Sequence, residues 1–213
     1  MQVFPDPANS PAQHTRVLGI QNFELISPDV YPWIRPFCRL EELIIGAFGW
    51  GDPKDVSLAG LHRLSPTLKT LRLNTTNTPI SEILDLTCSF PLLEDLVLRS
   101  ELPHDNASGW TVPSTNPKFT GSLRLSGESR SIARALLDLP HGLHFSKIWI
   151  ACFIEDVDSG MMTELVSKCS DTLESLSIRY IPSRKFPSVP PVIHHLTVAR
   201  IRMPSHGHDA TSG

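Results

Sequence analysis

The sequence predicts an α/β fold in which short parallel strands and returning helices repeat along the chain as a solenoid. Three observations lead to this prediction. A short apolar phrase recurs through most of the 213 residues. Its copies are separated by a near-constant distance typical of repeat proteins, and helical periodicity fills several of the intervals. A solenoid exposes one long continuous surface, which favours binding over chemistry in a closed pocket.

The recurring phrase is Leu-x-x-Leu-x-Leu or a close apolar variant. Counted from the first slot, successive copies are separated by 25, 28, 25, 27, 25, 28 and 20 residues. The first copy is weak, and a central copy has Thr120 in its first slot. The predicted slots are Thr15-Leu18-Ile20, Leu40-Leu43-Ile45, Leu68-Leu71-Leu73, Leu93-Leu96-Leu98, Thr120-Leu123-Leu125, Phe145-Ile148-Ile150, Leu173-Leu176-Ile178 and Ile193-Leu196-Val198.

The Leu-x-Leu part of each copy predicts a strand, because alternate side chains of a strand point to the same face. Stacked copies then give a parallel sheet on the concave side. Helical periodicity predicts helices on the convex side at residues 55–64, 79–90, 129–139 and 158–169. Only Asn74 supplies the asparagine that regular leucine-rich repeats carry after the last slot. We therefore expect an irregular leucine-rich-repeat solenoid of about seven to eight repeats.

The phrase also predicts the domain organisation. Residues 1–14 are expected to be an N-terminal extension, residues 15–201 the repeat domain, and residues 202–213 a polar, disordered tail. The prolines cluster at repeat junctions, where they mark turns.

Composition narrows the function classes. The chain is 40 % hydrophobic and 19 % charged with a net charge of −3, which favours a folded protein and disfavours nucleic acid or an anionic membrane as partner. The first residues have no secretory signal pattern. The four cysteines, Cys38, Cys88, Cys152 and Cys169, lie in or beside apolar slots and form no Cys-x-x-Cys pair. We expect reduced, buried thiols and a cytoplasmic or nuclear protein that is not secreted.

Several segments carry a family resemblance. SPAQHTRVLGI, LSPTLKTLRLN, TCSFPLLEDLVLRS, DLPHGLHFSKIWI and LVSKCSDTLESLSI resemble the leucine-rich portion of basidiomycete fungal F-box proteins, over roughly residues 10–200. The resemblance implies the substrate-recognition repeats of an adaptor of a cullin-RING ubiquitin ligase. In such adaptors an F-box docks on the Skp subunit, and the repeats hold the target. Residues 1–15 lack the Leu-Pro-led helices of an F-box, so Skp and cullin partners are expected only if an F-box lies upstream.

The residues between the leucines form the expected partner surface. On the concave side they include four arginines and one lysine against one glutamate and one aspartate, the reverse of the chain's overall charge. Arginine suits carboxylates and phosphates, and an exposed tryptophan suits an anchor. We therefore predict a protein partner with acidic or phosphorylated segments, held by Arg72, Arg99, Arg124, Trp149 and Arg179. The alternative is that these are ordinary solvated residues paired with neighbours such as Asp95.

No catalytic, cofactor or metal residue is predicted. The glycine-rich residues 46–52, GAFGWGD, stand where a phosphate loop would, but they lack its Gly-Lys-Ser/Thr ending. His194 and His195 point to opposite faces of a predicted strand, so they cannot share an ion. Two alternatives to the adaptor interpretation stay open. One is a stand-alone leucine-rich scaffold or truncated fragment with no ligase role, and the other is an enzyme with a loop site at residues 46–52.

Overall fold

The strands of the protein form one continuous sheet. The computed structural model describes residues 10–20, 37–46, 61–62, 64, 66–75, 78–100, 116–127, 130–153, 159–181 and 195–199. Within them, eight strands lie side by side in chain order. The strands are β1 Val17–Ile20, β2 Glu42–Gly46, β3 Thr70–Thr75, β4 Asp95–Ser100, β5 Ser122–Gly127, β6 Lys147–Phe153, β7 Ser175–Ile181 and β8 His195–Ala199.

Strands β1 to β7 all run parallel to one another. Parallel neighbours require a long connection between consecutive strands, and the spacing of the apolar phrase supplies it. The prediction of an α/β fold with a parallel sheet is therefore confirmed. The second slots of successive copies stand opposite one another across the sheet, as Leu43, Leu71, Leu96, Leu123, Ile148 and Leu176.

The apolar slots face a core that the helices cover. Each slot residue on β2 to β7 is at most 8 % exposed. Three helices, α1 Ile80–Cys88, α2 Arg130–Leu137 and α3 Ser159–Lys168, follow β3, β5 and β6 and pack on that face. These are three of the four predicted helices, and neighbouring helices contact one another. The fourth, predicted at residues 55–64, lies largely outside the described residues.

Each helix buries the stripe that its periodicity predicts. In α1 the buried side chains include Ile80, Ile83 and Leu84, which recur every three to four residues. Within α1 the buried Thr87 donates its hydroxyl to the carbonyl of Ile83 at 2.6 Å, so this polar group costs little in the core. The three described helices thus cover one face of the sheet.

The last strand differs from the prediction. β8 pairs with β7 in the antiparallel direction, with Arg179 opposite His195 and Ser175 opposite Ala199. The prediction that every copy of the phrase adds a parallel strand is therefore wrong for β8. Its interval is the shortest, at 20 residues, and it carries four prolines between residues 182 and 194 instead of a helical pattern. A parallel return needs a crossover, whereas an antiparallel strand needs only a loop.

The central copy of the phrase is also irregular. Thr120, predicted in its first slot, is exposed, and Phe119 is fully buried. Phe119 has a φ of 47°, a left-handed conformation that is unusual for a bulky residue. This conformation turns the Phe119 ring into the core beside Phe145, with ring centroids 5.2 Å apart. The assignment of Thr120 to the slot is therefore wrong, because the backbone shifts the apolar side chain by one residue.

Two predictions on the cysteines have different outcomes. Cys169 is buried and Cys88 is half-buried, and neither is in a disulfide. Cys38 also forms no disulfide but is exposed, so the prediction that it is buried is wrong. It lies in a turn before β2, where the chain has not yet entered the core. The side chain of Cys152 lies outside the described residues.

Candidate binding site on the open face of the sheet

The open face is the face of the sheet opposite the helices. Its side chains alternate along each strand with the buried slots, as the two-residue period of a strand requires. Arg72, Arg99, Arg124 and Arg179 are all exposed on it, as the sequence predicts, and Trp149 is half-buried. The described side chains of this face on β2 to β7 are Glu42, Ile44, Thr70, Arg72, Asn74, Asp95, Val97, Arg99, Ser122, Arg124, Ser126, Lys147, Trp149, Ala151, Ser175, Ser177 and Arg179.

The register of the strands arranges three of these residues in one row and three in the next. Ser122, Lys147 and Ser175 are consecutive partners on β5, β6 and β7, and two residues along lie Arg124, Trp149 and Ser177. Neighbouring strands are about 4.8 Å apart, and two residues of a strand span about 6.6 Å. The six residues are called the grid, and side chains within it are close enough to contact one ligand.

A cavity of about 580 Å³ lies over the grid. Besides the grid residues, its lining includes Asp95, Gly121 and Ser146. The cavity therefore lies over β5 to β7, and one wall is formed by the junction between β4 and β5.

That junction is held in a way that differs from its neighbours. At five other steps between consecutive parallel strands, one carbonyl accepts two successive N–H groups of the next repeat, as the carbonyl of Lys69 does from Glu94 and Asp95. At the β4–β5 step, the carbonyl of Glu94 accepts the N–H of Gly121 at 3.1 Å. The next N–H, that of Ser122, instead donates to the carboxylate Oδ1 of Asp95 at 2.6 Å.

The side chain of Asp95 thus takes the place of a backbone carbonyl. Its Oδ1 also accepts the hydroxyl hydrogen of Ser122 at 2.6 Å. The approach is close, since a Cβ at position 121 would lie 2.5 Å from the same oxygen, so a side chain there would require the carboxylate to move. This exception follows directly after the left-handed Phe119. Backbone irregularities of this kind concentrate at functional sites.

Some polar side chains of the cavity form hydrogen bonds within the protein, and others do not. Asp95 and Ser122 bond to each other, and the hydroxyl of Ser146 donates to the carbonyl of Gly121 at 3.1 Å. The side chains of Arg124, Lys147, Ser175 and Ser177 make no hydrogen bond or ion pair within the part of the chain that the structure describes. These four groups are therefore available to a ligand.

The five predicted partner residues have different surroundings. Arg124 and Trp149 line the cavity. Arg72 lies in the same row two strands away, and its Nε is 2.6 Å from the carboxylate of Glu42, so its charge is already compensated. Arg99 and Arg179 belong to the next row, with Asn74 and Ser126 beside Arg99 and Ala151 beside Arg179.

Lys147, Ser175 and Ser177 lie between apolar slots and so belong to the surface that the sequence predicts, but they are not among the five predicted partner residues. Nothing in a single strand distinguishes these residues, because their closeness to one another and to Arg124 appears only when three repeats are aligned. The positions of the apolar phrase give that alignment, because corresponding slots of successive copies are paired across the sheet. A column-by-column alignment of the strands would have found the grid.

The cysteines of the helical face have the character of structural thiols. Burial, followed by the charge of Asp85, raises the pKa of the Cys88 thiol from 9.0 to about 12. Burial also raises the pKa of Cys169, and the hydrogen bond with the backbone of Phe145 opposes that change. Because the thiolate is the nucleophile, both groups are unreactive at neutral pH.

The described residues supply little else for chemistry. They contain no group of three or more His, Cys, Asp or Glu side chains placed to hold a metal ion. Residues 47–52 of the predicted glycine-rich loop, His194 and the side chain of His195 lie outside the described residues. Within the described part of the chain, no helix combines the length and apolar character needed to cross a membrane.

Comparison with known proteins does not classify the chain. No family model, no curated protein and no solved structure matches it. Functional inference therefore depends on the geometry of the open face and on the sequence.

Proposed function

We propose that the chain is a non-catalytic protein-binding module. In this proposal it is an irregular leucine-rich-repeat solenoid of about seven to eight repeats, and the open face is the concave surface that holds a partner. One observation carries the proposal. Around one cavity of the open face lie two cationic side chains and two hydroxyls that make no hydrogen bond or ion pair within the described residues, together with the half-buried Trp149. Arginine and tryptophan are the residues that most often dominate binding energy at protein interfaces.

The lining of the cavity favours binding over catalysis. It contains no histidine among the described residues, and its one carboxylate is engaged with Ser122. Neither Ser175 nor Ser177 has a described base within hydrogen-bond reach, which a serine nucleophile requires. Both serines are therefore suited to donate hydrogen bonds to a bound group.

The preferred partner is a protein segment with acidic or phosphorylated residues, contacted by Arg99, Arg124, Trp149 and Arg179. Arg72 contributes less than the sequence suggests, because binding an anion there competes with its ion pair to Glu42. An adaptor role in a cullin-RING ubiquitin ligase is supported by the resemblance of residues 10–200 to fungal F-box proteins. That role requires an F-box upstream of these repeats.

Affinity purification of the chain from fungal cells tests the module and the adaptor role together. Capture of a stoichiometric partner, lost on Arg99→Glu with Arg124→Glu, supports the open face as the binding surface. Lys168→Glu is the matched control, because Lys168 is exposed on α3 on the opposite face. Partner capture that survives the double charge reversal would refute the proposed surface.

The same purification separates the adaptor from the scaffold. Skp and cullin subunits recovered with the partner, from a gene product that includes any upstream F-box, support the adaptor. Recovery of the partner alone supports a stand-alone scaffold.

A further inference from the structure

We propose that the grid is a binding site for a phosphoryl group carried by a serine or threonine of an extended partner segment. This inference rests on the proposed function, because it names the chemistry that the module recognises. It assigns the primary contacts to Arg124, Lys147, Ser175 and Ser177. Three of these four residues were not selected from the sequence.

The charges and hydrogen-bond donors of the grid match those that a phosphoryl group needs. Arg124 and Lys147 provide two positive charges with no described partner. A phosphoryl monoester carries close to two negative charges and three strong acceptor oxygens. Arg offers five N–H donors in a fixed fork, Lys offers three, and each serine adds one. A carboxylate has one charge and two oxygens, so it would engage fewer of these donors.

The donors of the grid also lie close enough together to contact one anion. Lys147 lies one strand across and two residues back from Arg124, which places the two Cα atoms about 8 Å apart. Ser175 is the cross-strand partner of Lys147, and Ser177 is the partner of Trp149. The donors therefore surround one cavity from β5, β6 and β7. Long cationic side chains at this separation can converge on a single anion.

The wall of the cavity beside β4 carries a negative charge. Asp95 is an anion in the lining, and it would repel a phosphoryl group placed beside it. Its Oδ1 already accepts two hydrogen bonds from Ser122, which partly compensate its charge. Repulsion from this wall directs the ligand towards Lys147 and Ser175, away from β4. Trp149, between Arg124 and Ser177, offers apolar surface to the carbon atoms of the segment.

The experiment uses the full chain labelled with ¹⁵N and four probes. These are the peptide Gly-Gly-phosphoSer-Gly-Gly with blocked ends, the same peptide with Glu or with Ser at the centre, and inorganic phosphate. Amide chemical shifts of Ser175 and Ser177 report occupancy. We expect a saturable shift with the phosphopeptide and binding of the Glu peptide that is weaker by about tenfold or more, since the second charge and third oxygen are lost.

Three variants assign the contacts. Arg124→Ala and Lys147→Ala should each raise the phosphopeptide Kd by about tenfold or more, the loss expected for a hydrogen bond to a charged group. Lys168→Ala removes one positive charge from the opposite face and should leave Kd within about twofold, because exposed charges at that distance are screened by salt. The amide spectrum of each variant shows whether it is folded.

Each contrary outcome overturns the inference. Equal binding of the Glu and phosphoserine peptides would make the grid a general carboxylate site. Equal affinity for inorganic phosphate would show that the carrying segment contributes nothing. Absence of any shift at Ser175 and Ser177 would remove the site altogether. In all three cases the proposed function survives if the captured partner is still lost on charge reversal of Arg99 and Arg124, so the two failures are distinguishable.

Discussion

Replacing Gly121 by alanine should destabilise the junction between β4 and β5. The new Cβ would lie 2.5 Å from Oδ1 and 2.9 Å from Cγ of Asp95, and 3.1 Å from the backbone carbon of Glu94. Real side chains do not tolerate the two shorter distances, so the carboxylate must move. When it moves, Ser122 loses the acceptor of both its backbone N–H and its hydroxyl.

The size of the effect follows from those two hydrogen bonds. A bond to a charged acceptor contributes about 1.5–3 kcal/mol, and the partial exposure of Asp95 places each at the lower end. Alanine also lowers the conformational entropy of the unfolded chain relative to glycine, which offsets about 0.4–1 kcal/mol of this loss of stability. We therefore expect Gly121→Ala to lower the free energy of unfolding by about 2–3 kcal/mol.

A double-mutant cycle tests the cause. Urea denaturation of Gly121→Ala, Asp95→Ala and the double variant gives the coupling between the two sites. If the clash with the carboxylate is the cause, Gly121→Ala should cost much less in the Asp95→Ala background, where the acceptor is already absent. Asp95→Asn is the control, since its amide oxygen can still accept from Ser122. If the losses of unfolding free energy in the two single variants add up to the loss in the double variant, the assigned role of Asp95 is refuted.

Three further outcomes follow from the described packing. Phe119→Ala and Phe119→Gly should both lose about 3–5 kcal/mol of stability, measured by thermal or urea unfolding. The glycine variant should be the more stable of the two, because glycine adopts a φ of 47° without strain and alanine does not. The reverse order would contradict the left-handed backbone. Well below pH 9.0, the unfolded-state pKa, the Cys88 thiol is protonated in both the folded and the unfolded state. As the pH rises from 9.0 towards about 12, the unfolded chain loses this proton first, so stability should fall with pH, and less so in Cys88→Ala; identical urea midpoints for the two proteins across that range would exclude the effect. Labelling of the native protein with a thiol reagent should lose one fast equivalent in Cys38→Ser and none in Cys88→Ser.

The periodic part of the fold could be predicted from the sequence. A strand repeats its side-chain direction every two residues, and a helix every three to four. The apolar pattern around Leu71 therefore predicts a strand, and the pattern around Ile83 predicts a helix, without knowledge of the neighbouring strands or helices. The apolar phrase therefore predicted the parallel strands, and helical periodicity predicted the three described helices. These predictions depend only on local geometry and on burial.

The exceptions could not be predicted, because each depends on a choice between backbone paths. Spacing placed Thr120 in a slot that Phe119 fills, and only a left-handed φ makes that possible. The direction of β8 depends on how the preceding loop runs, which side-chain periodicity does not encode. The partner residues were selected by type along single strands. The ion pair of Arg72 with Glu42 and the grid around Lys147 appear only across strands.

The carboxylate at the β4–β5 junction has a consequence for how the sheet opens. Elsewhere the paired amides bond to main-chain carbonyls, which belong to the cooperative ladder, whereas the N–H of Ser122 depends on a side chain that can rotate away. Local opening follows the weakest boundary between such runs. We therefore expect the junction between β4 and β5 to be a boundary for local opening of the sheet, with β1–β4 on one side and β5–β8 on the other. The six grid residues all lie on the second side, so opening that stops at this boundary from the side of β1 would leave them in place.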